Sequence, residues 1–372
     1  MSNGYQQQRS ADGAGPQGQR VPEAAPRQRE SRLLRGCAVA AIVVVALGIL
    51  GLVGLVVLVG LGTAMAGPVA EEGVRLEEET VGGRPGAPKV VCIPIEGMIY
   101  GATVPGRELT PVALVVAQLR RAARDPKVCG AILYVDSPGG AITGSDILHR
   151  EVHRFRQAHG RRYVTACMMD IAASGAYYVS VAADRIIAHP TTVTGSIGVM
   201  MPLYDATGLM DKVGVTSESL ATGEYKDIGS PFVKKDQEQK RREREILRGI
   251  IDEMYDQFVS VVAAGRKLEA ARVRSLADGR IFTSKQALQH GLIDQIGYES
   301  DAVDALKELA GVSEVHLVRY RRAISLSDIL MVFARGPRLS LDVDGALPKL
   351  DASRPMFLWQ PPPAGAQDAL SP

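Results

Sequence analysis

From residue 89 onward the chain alternates short apolar runs of the strand type with longer segments of helical periodicity. This alternation limits the fold more than any other feature, because strands joined by helices pair in parallel through right-handed crossovers. The sequence therefore predicts an α/β domain over residues 89–320, with a mostly parallel sheet and flanking helices. The strand-type runs are Val90–Ile95, Ala131–Val135, Tyr163–Met168 and Arg185–Ala188, and the helical segments between them are Pro111–Arg124, Gly144–His159 and Ser174–Ala182.

The composition agrees with a folded domain and excludes one class of partner. Of the 372 residues, 46% are hydrophobic and 23% are charged, which is enough apolar material for a large core. Lysine and arginine number 43 against 41 acidic residues, for a net charge of +2. A nucleic-acid-binding surface needs a clustered excess of positive charge, so nucleic acid is not an expected partner.

The amino-terminal part is predicted to anchor the chain in a membrane. Residues 1–35 hold too few bulky apolar side chains to offset the entropy of ordering and are predicted to form a disordered leader. Residues 36–62 carry no charge, and their apolar centre of ~25 residues can cross a ~30 Å hydrocarbon core as one transmembrane helix. Residues 63–88 are predicted to be a stalk. A cleavable signal peptide is the alternative, but its apolar region would be shorter and nearer the N-terminus.

The charges on either side of this span predict its orientation. Arginines precede it and glutamates follow it. Because positively charged flanks stay in the cytoplasm, we expect a cytoplasmic leader, an extracytoplasmic domain after about residue 70, and a single-pass protein of the cell membrane. Membrane lipid is thus an expected partner. The flanking residues are Arg20, Arg27, Arg29, Arg32 and Arg35 before the span, and Glu71, Glu72, Glu77, Glu78 and Glu79 after it.

Three further features complete the outline. Residues 233–266 predict one long helix whose charged first part is expected to be solvated and linked by i,i+4 ion pairs, with a lipid-headgroup or partner surface as the alternative. Residues 321–372 are predicted to form a mostly disordered tail, because Gly, Pro, Ser and Asp become frequent there. Cys92, Cys129 and Cys167 lie in apolar runs without metal-binding spacing and are expected to be buried thiols, with a disulfide as the alternative.

Short motifs supply the groups that a peptide-bond hydrolase without a histidine would need. Ser-Pro-Gly-Gly at 137–140 ends in glycines whose N–H groups can face an oxyanion. Ser174 lies among small residues at a strand-to-helix turn, where a nucleophile is exposed, and Lys226 in Gly-Glu-Tyr-Lys-Asp could act as a base. Each motif alone could be a turn, a helix cap or a solvated lysine. The first two, however, follow successive parallel strands, where open α/β sheets bind ligands.

A lysine base is the expected substitute for the histidine of a catalytic triad. None of the six histidines falls in a segment that resembles a site, and His189, the nearest in sequence to Ser174, is the alternative base. A neutral Lys226 requires that its pKa be lowered from about 10.4 toward ~7–8, which means burial of the amine in the assembled site. The hydroxyl of Ser196, between two glycines, could hold that amine, although turn formation alone would also account for this serine.

Together these motifs resemble the signal peptide peptidase A family of serine–lysine proteases. The resemblance also includes Thr-Gly-Ser-Ile-Gly-Val at 194–199, Tyr-Lys-Asp at 225–227 and Asp-Gly-Arg-Ile-Phe-Thr at 278–283, and it covers roughly residues 89–312 in order. It implies a fold similar to that of the Clp protease and crotonase group.

The resemblance also implies a role for each candidate residue. It makes Ser174 the nucleophile, Lys226 the general base and Ser196 the hydroxyl that supports the lysine, and it makes the backbone N–H groups of Gly140 and Gly175 the oxyanion donors. One set of motifs without an internal repeat is typical of the family's short form. In that form neighbouring protomers of a ring contribute the Ser and the Lys of one site, so a homo-oligomeric ring is expected.

The expected function is that of a membrane-anchored, ATP-independent serine endopeptidase. It would use a Ser/Lys dyad without a metal or cofactor and would cleave hydrophobic peptides, such as released signal peptides, on the extracytoplasmic side. A crotonase-like acyl-CoA enzyme is one alternative, but it would need neither the Ser174–Lys226 pair nor an anchor. A catalytically inactive scaffold of a membrane ring is the other, and the intact Ser174 and Lys226 count against it.

Overall fold

The computed structural model describes residues 75–101, 110–158, 160–323 and 356–358, together with Leu47, Gly48, Leu50 and Gly51. The chain divides into two compact units, residues 1–68 and 69–372. The four described residues of the first unit are helical. No helix within the described part of the chain has the length and apolar character needed to cross a bilayer. The predicted leader at 1–35 and most of the predicted anchor at 36–62 lie outside the described residues, so both stay predictions.

A nine-stranded, mostly parallel sheet forms the centre of the second unit. Its strands are β1 (Leu76–Gly83), β2 (Lys89–Glu96), β3 (Val128–Ser137), β5 (Tyr163–Ala173), β6 (Arg185–Ala188), β7 (Val193–Gly195), β8 (Ile281–Thr283), β9 (Gln295–Ile296) and β10 (His316–Arg322), while β4 (Gly139–Ala141) and β11 (Met356–Leu358) form a separate pair. Along the order β1-β10-β2-β3-β5-β6-β9, every pair except β1 with β10 is parallel. β7 pairs in parallel with the end of β5, and β8 adds to it in antiparallel. The predicted α/β class with a mostly parallel sheet is confirmed.

Helices cover both faces of this sheet. The described helices of this unit are α1 (Pro111–Arg124), α2 (Ile142–Gln157), α3 (Gly175–Ser180), α4 (Thr207–Val213), α5 (Gln237–Arg266), α6 (Ala270–Arg274), α7 (Ser284–Gln289) and α8 (Glu299–Ala310). Leu133 of β3 packs in the larger core with Leu119 of α1 and Leu148 of α2. Its neighbour Ile132 packs in a smaller core with Leu306 of α8. Adjacent strand residues point to opposite faces, so β3 is covered on both sides, as its continuous apolar run predicts.

Local sequence signals set the ends of the helices. The side chain of Thr110 caps α1, and Pro111 occupies its first turn, as predicted. α5 begins later than the predicted residue 233, because Asp236 forms a capping box with Gln239 and so fixes the start.

The sheet begins inside the segment that the sequence assigns to the stalk. β1, which lies within residues 63–88, pairs along its length with β10. Its acidic side chains are matched across the pair, since Glu79 forms ion pairs with Arg319 and Arg321. An edge strand tolerates such charges because one side of it faces water. Because of these charges β1 has no apolar run that would predict a strand. The sheet therefore starts before Lys89, the predicted first residue of the domain.

The carboxyl-terminal part also differs from the prediction. β10 continues to Arg322, and β11 pairs in antiparallel with β4. The last two residues of β10 and the whole of β11 lie in residues 321–372, the predicted mostly disordered tail; the other residues after 323 lie outside the described part of the chain.

Residues 200–256, which we call the arm, differ from the rest of the domain. The arm comprises a loop, α4 and the first two-thirds of α5, and Glu243 is the single buried residue of this wholly described range. The charged part of α5 carries the predicted i,i+4 ion pairs, Arg241 with Glu245 and Arg248 with Asp252. Large apolar side chains are nevertheless 47% to 95% exposed, namely Leu203, Leu209, Val213, Val215, Leu220 and Phe232.

Candidate active site

Three neighbouring parallel strands end at one edge of the sheet, and three of the candidate residues follow them. The register pairs Ala173 at the end of β5 with Gly195 at the end of β7. Ser174 and Ser196 each come one residue later, so the two serines lie side by side. Gly140 follows the end of β3, the strand on the other side of β5. The fold therefore brings Gly140, Ser174 and Ser196 together where ligands bind in open α/β sheets.

Ser174 occupies a backbone conformation that few residues other than glycine adopt. Its φ of 54° and ψ of −116° form the turn between β5 and α3. The Ser174 N–H donates to the carbonyl of Gly195 at 2.7 Å, and the Ser174 carbonyl accepts from the N–H of Tyr178 at 2.9 Å. Such a conformation costs on the order of 1–3 kcal/mol and persists only where the surroundings enforce it. It also delays the start of α3, which begins one residue later than predicted, at Gly175.

The hydroxyl of Ser174 is buried and unpaired. The residue is 1% exposed, and its Oγ has no hydrogen-bond partner among the described residues. A buried hydroxyl without a partner costs roughly 1–3 kcal/mol, so it marks a position that packing alone does not explain. Its hydrogen-bonding capacity is unused, but the prediction that the strand-to-helix turn exposes this hydroxyl is wrong within one chain, because the packing around Ser174 covers the Oγ.

Gly140 lies where only a glycine fits. A Cβ there would be 2.1 Å from the carbonyl oxygen of Ile99. The N–H of Ile99 donates to Gly139, and the carbonyl of Ile99 accepts from Ala141, both on one side of β4. Since N–H groups alternate along a strand, the Gly140 N–H points to the other side, where β11 pairs. Gly175 is the first residue of α3, so its N–H has no partner within that helix.

Two tyrosines fix α3 in the core. The hydroxyl of Tyr177 donates to the carbonyl of Leu292 at 2.8 Å, and that of Tyr178 donates to Oδ1 of Asp146 at 2.9 Å. Burial raises the pKa of both tyrosines well above the usual range, so both remain neutral donors. The sequence motif includes both residues, but nothing in it reveals that they hold the helix that follows Ser174.

Lys226 lies on the arm. Its backbone N–H donates to the carbonyl of Gly223 at 3.1 Å, which closes a turn. The Lys226 side chain is exposed and forms no hydrogen bond or ion pair with any described residue. Within one chain the structure does not join Lys226 to Ser174 or to Ser196. The burial that a lysine base needs would therefore have to come from outside the chain.

A second lysine of the arm, Lys235, has the opposite surroundings. Its ammonium group donates to Asp227 and to Glu243. Burial alone would lower the pKa of Lys235, but the hydrogen bonds to Glu243 and Asp227 raise it above its ordinary value. Lys235 thus stays charged at neutral pH and is unsuited to act as a base. In the sequence Lys235 and Glu243 are two members of a charge run, and no signal separates them from it.

The alternative base, His189, is occupied elsewhere. Its Nδ1 lies 2.7 Å from Oγ1 of Thr191, and its ring packs against that of Tyr298. It makes no hydrogen bond to Ser174, whose Oγ is unpaired.

The cysteines of the described ranges are not reactive groups. Cys92, Cys129 and Cys167 are free thiols; Cys92 and Cys167 are buried, as predicted, whereas Cys129 is only partly buried. Burial raises the pKa of Cys92 to about 11 and that of Cys167 to about 12, so neither forms a thiolate at neutral pH. Across the described ranges, His, Cys, Asp and Glu side chains form no group of three or more that could hold a metal ion.

Sequence comparisons relate the chain to known proteins. The model of peptidase family S49 matches residues 157–313, a range that includes Ser174, Ser196 and Lys226. A protein of Enterococcus faecium, inferred to be signal peptide peptidase SppA, is 34% identical over 249 residues, which are 66% of this chain and 71% of that protein. The chloroplastic serine protease SPPA of Arabidopsis thaliana is 32% identical over 68% of this chain and 37% of its own length. Protease 4 of Salmonella typhi is 32% identical over 58% of this chain and 34% of its own length.

A comparison of structures finds a variant of ClpP1 from Listeria monocytogenes. It covers 58% of this chain and 94% of its own, with 15% sequence identity and a TM-score of 0.37.

Proposed function

The chain belongs to peptidase family S49 and is a serine peptidase, and from that premise we propose that it is a membrane-anchored endopeptidase with a Ser174–Lys226 dyad. The observation that carries the proposal is the buried, unpaired hydroxyl of Ser174 on an enforced turn. No observation favours an acyl-CoA enzyme or an inactive scaffold, so neither is proposed.

In the proposed reaction the neutral amine of Lys226 takes the proton of the Ser174 hydroxyl as Oγ attacks the scissile carbonyl carbon. The N–H groups of Gly140 and Gly175 bind the resulting oxyanion. The C–N bond then breaks, the leaving amine receives the proton from Lys226, and an acyl group remains on Ser174. Lys226 activates a water molecule that cleaves this ester and frees the hydroxyl. The side chain of Ser196 accepts a hydrogen bond from the amine and orients it.

We propose that the two members of the dyad come from neighbouring subunits of a homo-oligomeric ring. Glu243 of α5 accepts from the loop that follows Lys226, while Phe258 of the same helix packs against Tyr178 of α3, with ring centroids 5.1 Å apart. At 1.5 Å per residue these two points on α5 are about 22 Å apart. That separation is several times the length of a lysine side chain, which favours the Ser174 of another subunit as the target of Lys226.

The surface of the arm supports the same arrangement. Several of its large apolar side chains are more than half exposed, among them Leu209, Leu220 and Phe232. Apolar patches of this kind are typical of protein–protein contacts. A contact that covered the arm would also remove water from the Lys226 amine, and removal of water disfavours the charged form of a lysine, as a base requires.

Peptide substrates are proposed to bind as an additional strand along β4. The chain's own β11 pairs there in antiparallel, with Phe357 opposite Gly140, and β11 lies beside α2 and α3. A substrate in the same place would be held by main-chain hydrogen bonds and would bring its backbone to the Gly140 N–H. The residues of β11 are Met, Phe and Leu, which agrees with a preference for hydrophobic peptides such as released signal peptides.

The proposed location is the extracytoplasmic side of the cell membrane, with residues 36–62 as the anchor. Protease added to intact spheroplasts should then digest or release the domain after residue 70. Protection of that domain, or recovery of a soluble form that begins after about residue 66, would contradict the anchor and leave the peptidase assignment unaffected.

The dyad is tested by labelling the detergent-extracted full chain with a serine-reactive phosphonate. We expect one label per active subunit, on Ser174, and none in Ser174→Ala. Lys226→Ala should also lose labelling, because the hydroxyl is not a nucleophile without its base. A labelled and active Lys226→Ala variant would remove Lys226 from the mechanism and make His189 the next residue to test.

The shared site is tested by co-assembly of two inactive variants, Ser174→Ala and Lys226→Ala. In a randomly mixed ring about a quarter of the interfaces would join an intact Ser174 to an intact Lys226, so activity should return to about a quarter of the wild-type value. If both residues came from one chain, every site in the mixture would lack one of them. Activity no higher than that of either variant, with subunit exchange confirmed by mass, would show that the site lies within one subunit.

A further inference from the structure

The loop that carries Lys226 is fastened to α5 by a largely buried ion cluster, which we call the clip and which consists of Lys235, Asp227 and Glu243. The Lys235 ammonium group donates to the backbone carbonyl of Asp227 at 2.8 Å, to its Oδ1 at 2.9 Å, and to Oε1 of Glu243. The side chains of Lys235 and Glu243 are 9% and 11% exposed. The clip thus includes the one buried residue of the arm, whose range is described throughout.

The contacts of the clip converge on the residue next to Lys226. Both the backbone and the side chain of Asp227 are held, and Oε2 of Glu243 accepts from the N–H of Gly229 at 3.4 Å. All three donors of the Lys235 ammonium group are in use. Because the group is largely buried, loss of Lys235 would leave two carboxylates uncompensated and release the loop from α5.

α5 is itself fixed to the helix that begins after Ser174. Gln257 donates to the hydroxyl of Tyr178 at 3.2 Å. The two helices approach so closely that a Cβ at Gly265 would lie 2.5 Å from the carbonyl oxygen of Val181. α5 is one continuous helix of 30 residues, so it joins the clip to the core without a hinge.

We propose that Lys235 is a positioning residue: through Asp227 and Glu243 it fixes the backbone of Lys226, so that this base enters the neighbouring subunit's site in one place. The inference rests on the proposed role of Lys226 as the base. The lysine side chain already has four rotatable bonds, and a mobile backbone would add to the entropy of placing its amine at the Ser174 hydroxyl. A misplacement of about 1 Å at a reacting group can lower a rate by ~10²-fold.

Lys234 is a matched control at the adjacent position. Its ammonium group pairs with Asp211 at 2.6 Å, but the two side chains are 69% and 51% exposed. An ion pair that exposed contributes little, so its removal should not change the position of Lys226.

The test compares Lys235→Met, Lys235→Arg and Lys234→Met in the full chain, by kcat and KM for a peptide, ring size and melting temperature. Lys235→Met should lower kcat by about 10²-fold while KM changes by less than about threefold. Lys235→Arg should retain part of kcat, because a guanidinium group can pair with both carboxylates. Lys234→Met should leave both constants within about twofold. A wild-type kcat in Lys235→Met would overturn the proposal, as would loss of the ring, since the residue would then be structural.

Mixed rings separate positioning from folding. In co-assemblies of Ser174→Ala with Lys226→Ala, the Ser174→Ala chain supplies the working Lys226. Lys235→Met added to that chain should lower the restored activity by about 10²-fold, whereas the same change in the Lys226→Ala chain should have no effect. Equal losses in both arrangements would overturn the proposal.

Failure of the proposed function would look different. An active Lys226→Ala variant removes the base itself and the positioning role with it. If Lys226→Ala is inactive and Lys235→Met is fully active, the proposed dyad is retained and only the positioning role of the clip is rejected. If Lys235→Met does not fold, Glu243→Gln takes its place, since it keeps the shape of the side chain and should still lower kcat by about tenfold; an unchanged kcat there would reject the clip.

Discussion

The two regions that carry the proposed dyad are built in opposite ways. Ser174 is buried, and its backbone is held at a φ of 54° between Gly195 and Tyr178. Lys226 is exposed, on an arm whose wholly described range has one buried residue. The core of one chain thus fixes the proposed nucleophile, whereas the proposed base would depend on the clip and on a neighbouring subunit. In an isolated chain Ser174 would thus be held in place without the proposed base beside it.

The energetic costs differ in the same way. On the sheet side the strained turn and the unpaired hydroxyl of Ser174 each cost on the order of 1–3 kcal/mol, and the surrounding core offsets them. On the arm the cost is apolar surface left in water, at about 25 cal/mol per Å². The first cost is met within the chain, but the second would be recovered only in the proposed assembly. Substitutions that lower activity should therefore change the free energy of unfolding differently in the two regions.

The largest expected effects come from replacing the members of the dyad. Ser174→Gly and Lys226→Ala should each lower activity by at least ~10³-fold, and the double variant should be no worse than either. Their stabilities should diverge. Ser174→Gly should raise the free energy of unfolding by about 1–2 kcal/mol, because glycine adopts a φ of 54° without strain. Lys226→Ala should change it by less than about 0.5 kcal/mol, because the side chain is exposed.

Urea unfolding of both variants measures this contrast. An unchanged stability in Ser174→Gly would show that the turn is not strained. A loss above about 1 kcal/mol in Lys226→Ala would show that the arm holds its lysine by contacts within the chain.

Alanine substitutions of one glycine in each region should have the next largest effect on activity and stability. Gly140→Ala places a Cβ 2.1 Å from the carbonyl oxygen of Ile99, so β4 must shift and carry the Gly140 N–H away from the oxyanion. We expect kcat to fall by about 10²–10³-fold, as for the loss of one oxyanion donor. Gly249→Ala in the arm meets no atom within 4 Å and should raise stability by about 0.5–1 kcal/mol with unchanged kcat. A fully active Gly140→Ala would remove this N–H from the proposed site.

Removal of the tail should have a smaller effect, on binding alone. A chain that ends at Ala323 lacks β11, which pairs with β4 where substrates are proposed to bind. Its KM for a peptide should fall by ~3–10-fold with an unchanged kcat, because a tethered competitor is gone. Phe357→Pro in the full chain should act in the same direction, since proline cannot donate to the strand pair. An unchanged KM in both would mean that β11 and substrates do not share this edge.

Much of the fold could be predicted from local patterns in the sequence. The continuous apolar run of β3 indicated a strand buried on both faces, and Thr110 with Pro111 indicated the start of α1. The edge strand β1 was missed because its glutamates pair with arginines of β10, more than 200 residues later in the chain. Periodicity registers apolar positions and gives no sign of charge matching across a sheet.

The candidate site divides in the same way. Gly140, Ser174 and Ser196 lie together because neighbouring parallel strands end at one edge, a rule that applies to the sequence directly. Lys235 and Glu243 were not distinguished from their charged neighbours, because their role depends on a fold of the arm that brings Asp227 to α5. Residues placed by strand order could be predicted, whereas residues placed by a long loop could not.

The last prediction, with the smallest expected effect, concerns how the stability of the two regions depends on pH. On the sheet side, His149 of α2 packs against Tyr178 and His153, with ring centroids 5.2 and 4.7 Å apart, and Asp146 and Arg156 also face it. Burial, followed by the charge of His153, lowers the pKa of His149 from 6.5 to about 4. The native state therefore binds fewer protons than the unfolded state between these two values, and stability falls as the pH drops through that window.

On acidification from pH 7 to 5, we expect the sheet side to lose stability on the order of 1–3 kcal/mol and the arm to lose almost none. The arm contains no histidine, and hydrogen bonds from Thr207 and Lys240 hold the pKa of Asp205 below its usual range, so that carboxylate stays ionised at pH 5. Hydrogen exchange of α2 and of the first turns of α5 at both pH values would measure the two regions separately. His149→Phe should reduce the loss of α2 stability on acidification, because a phenyl ring cannot take up a proton. Equal loosening of α2 and α5 would show that the two regions open together.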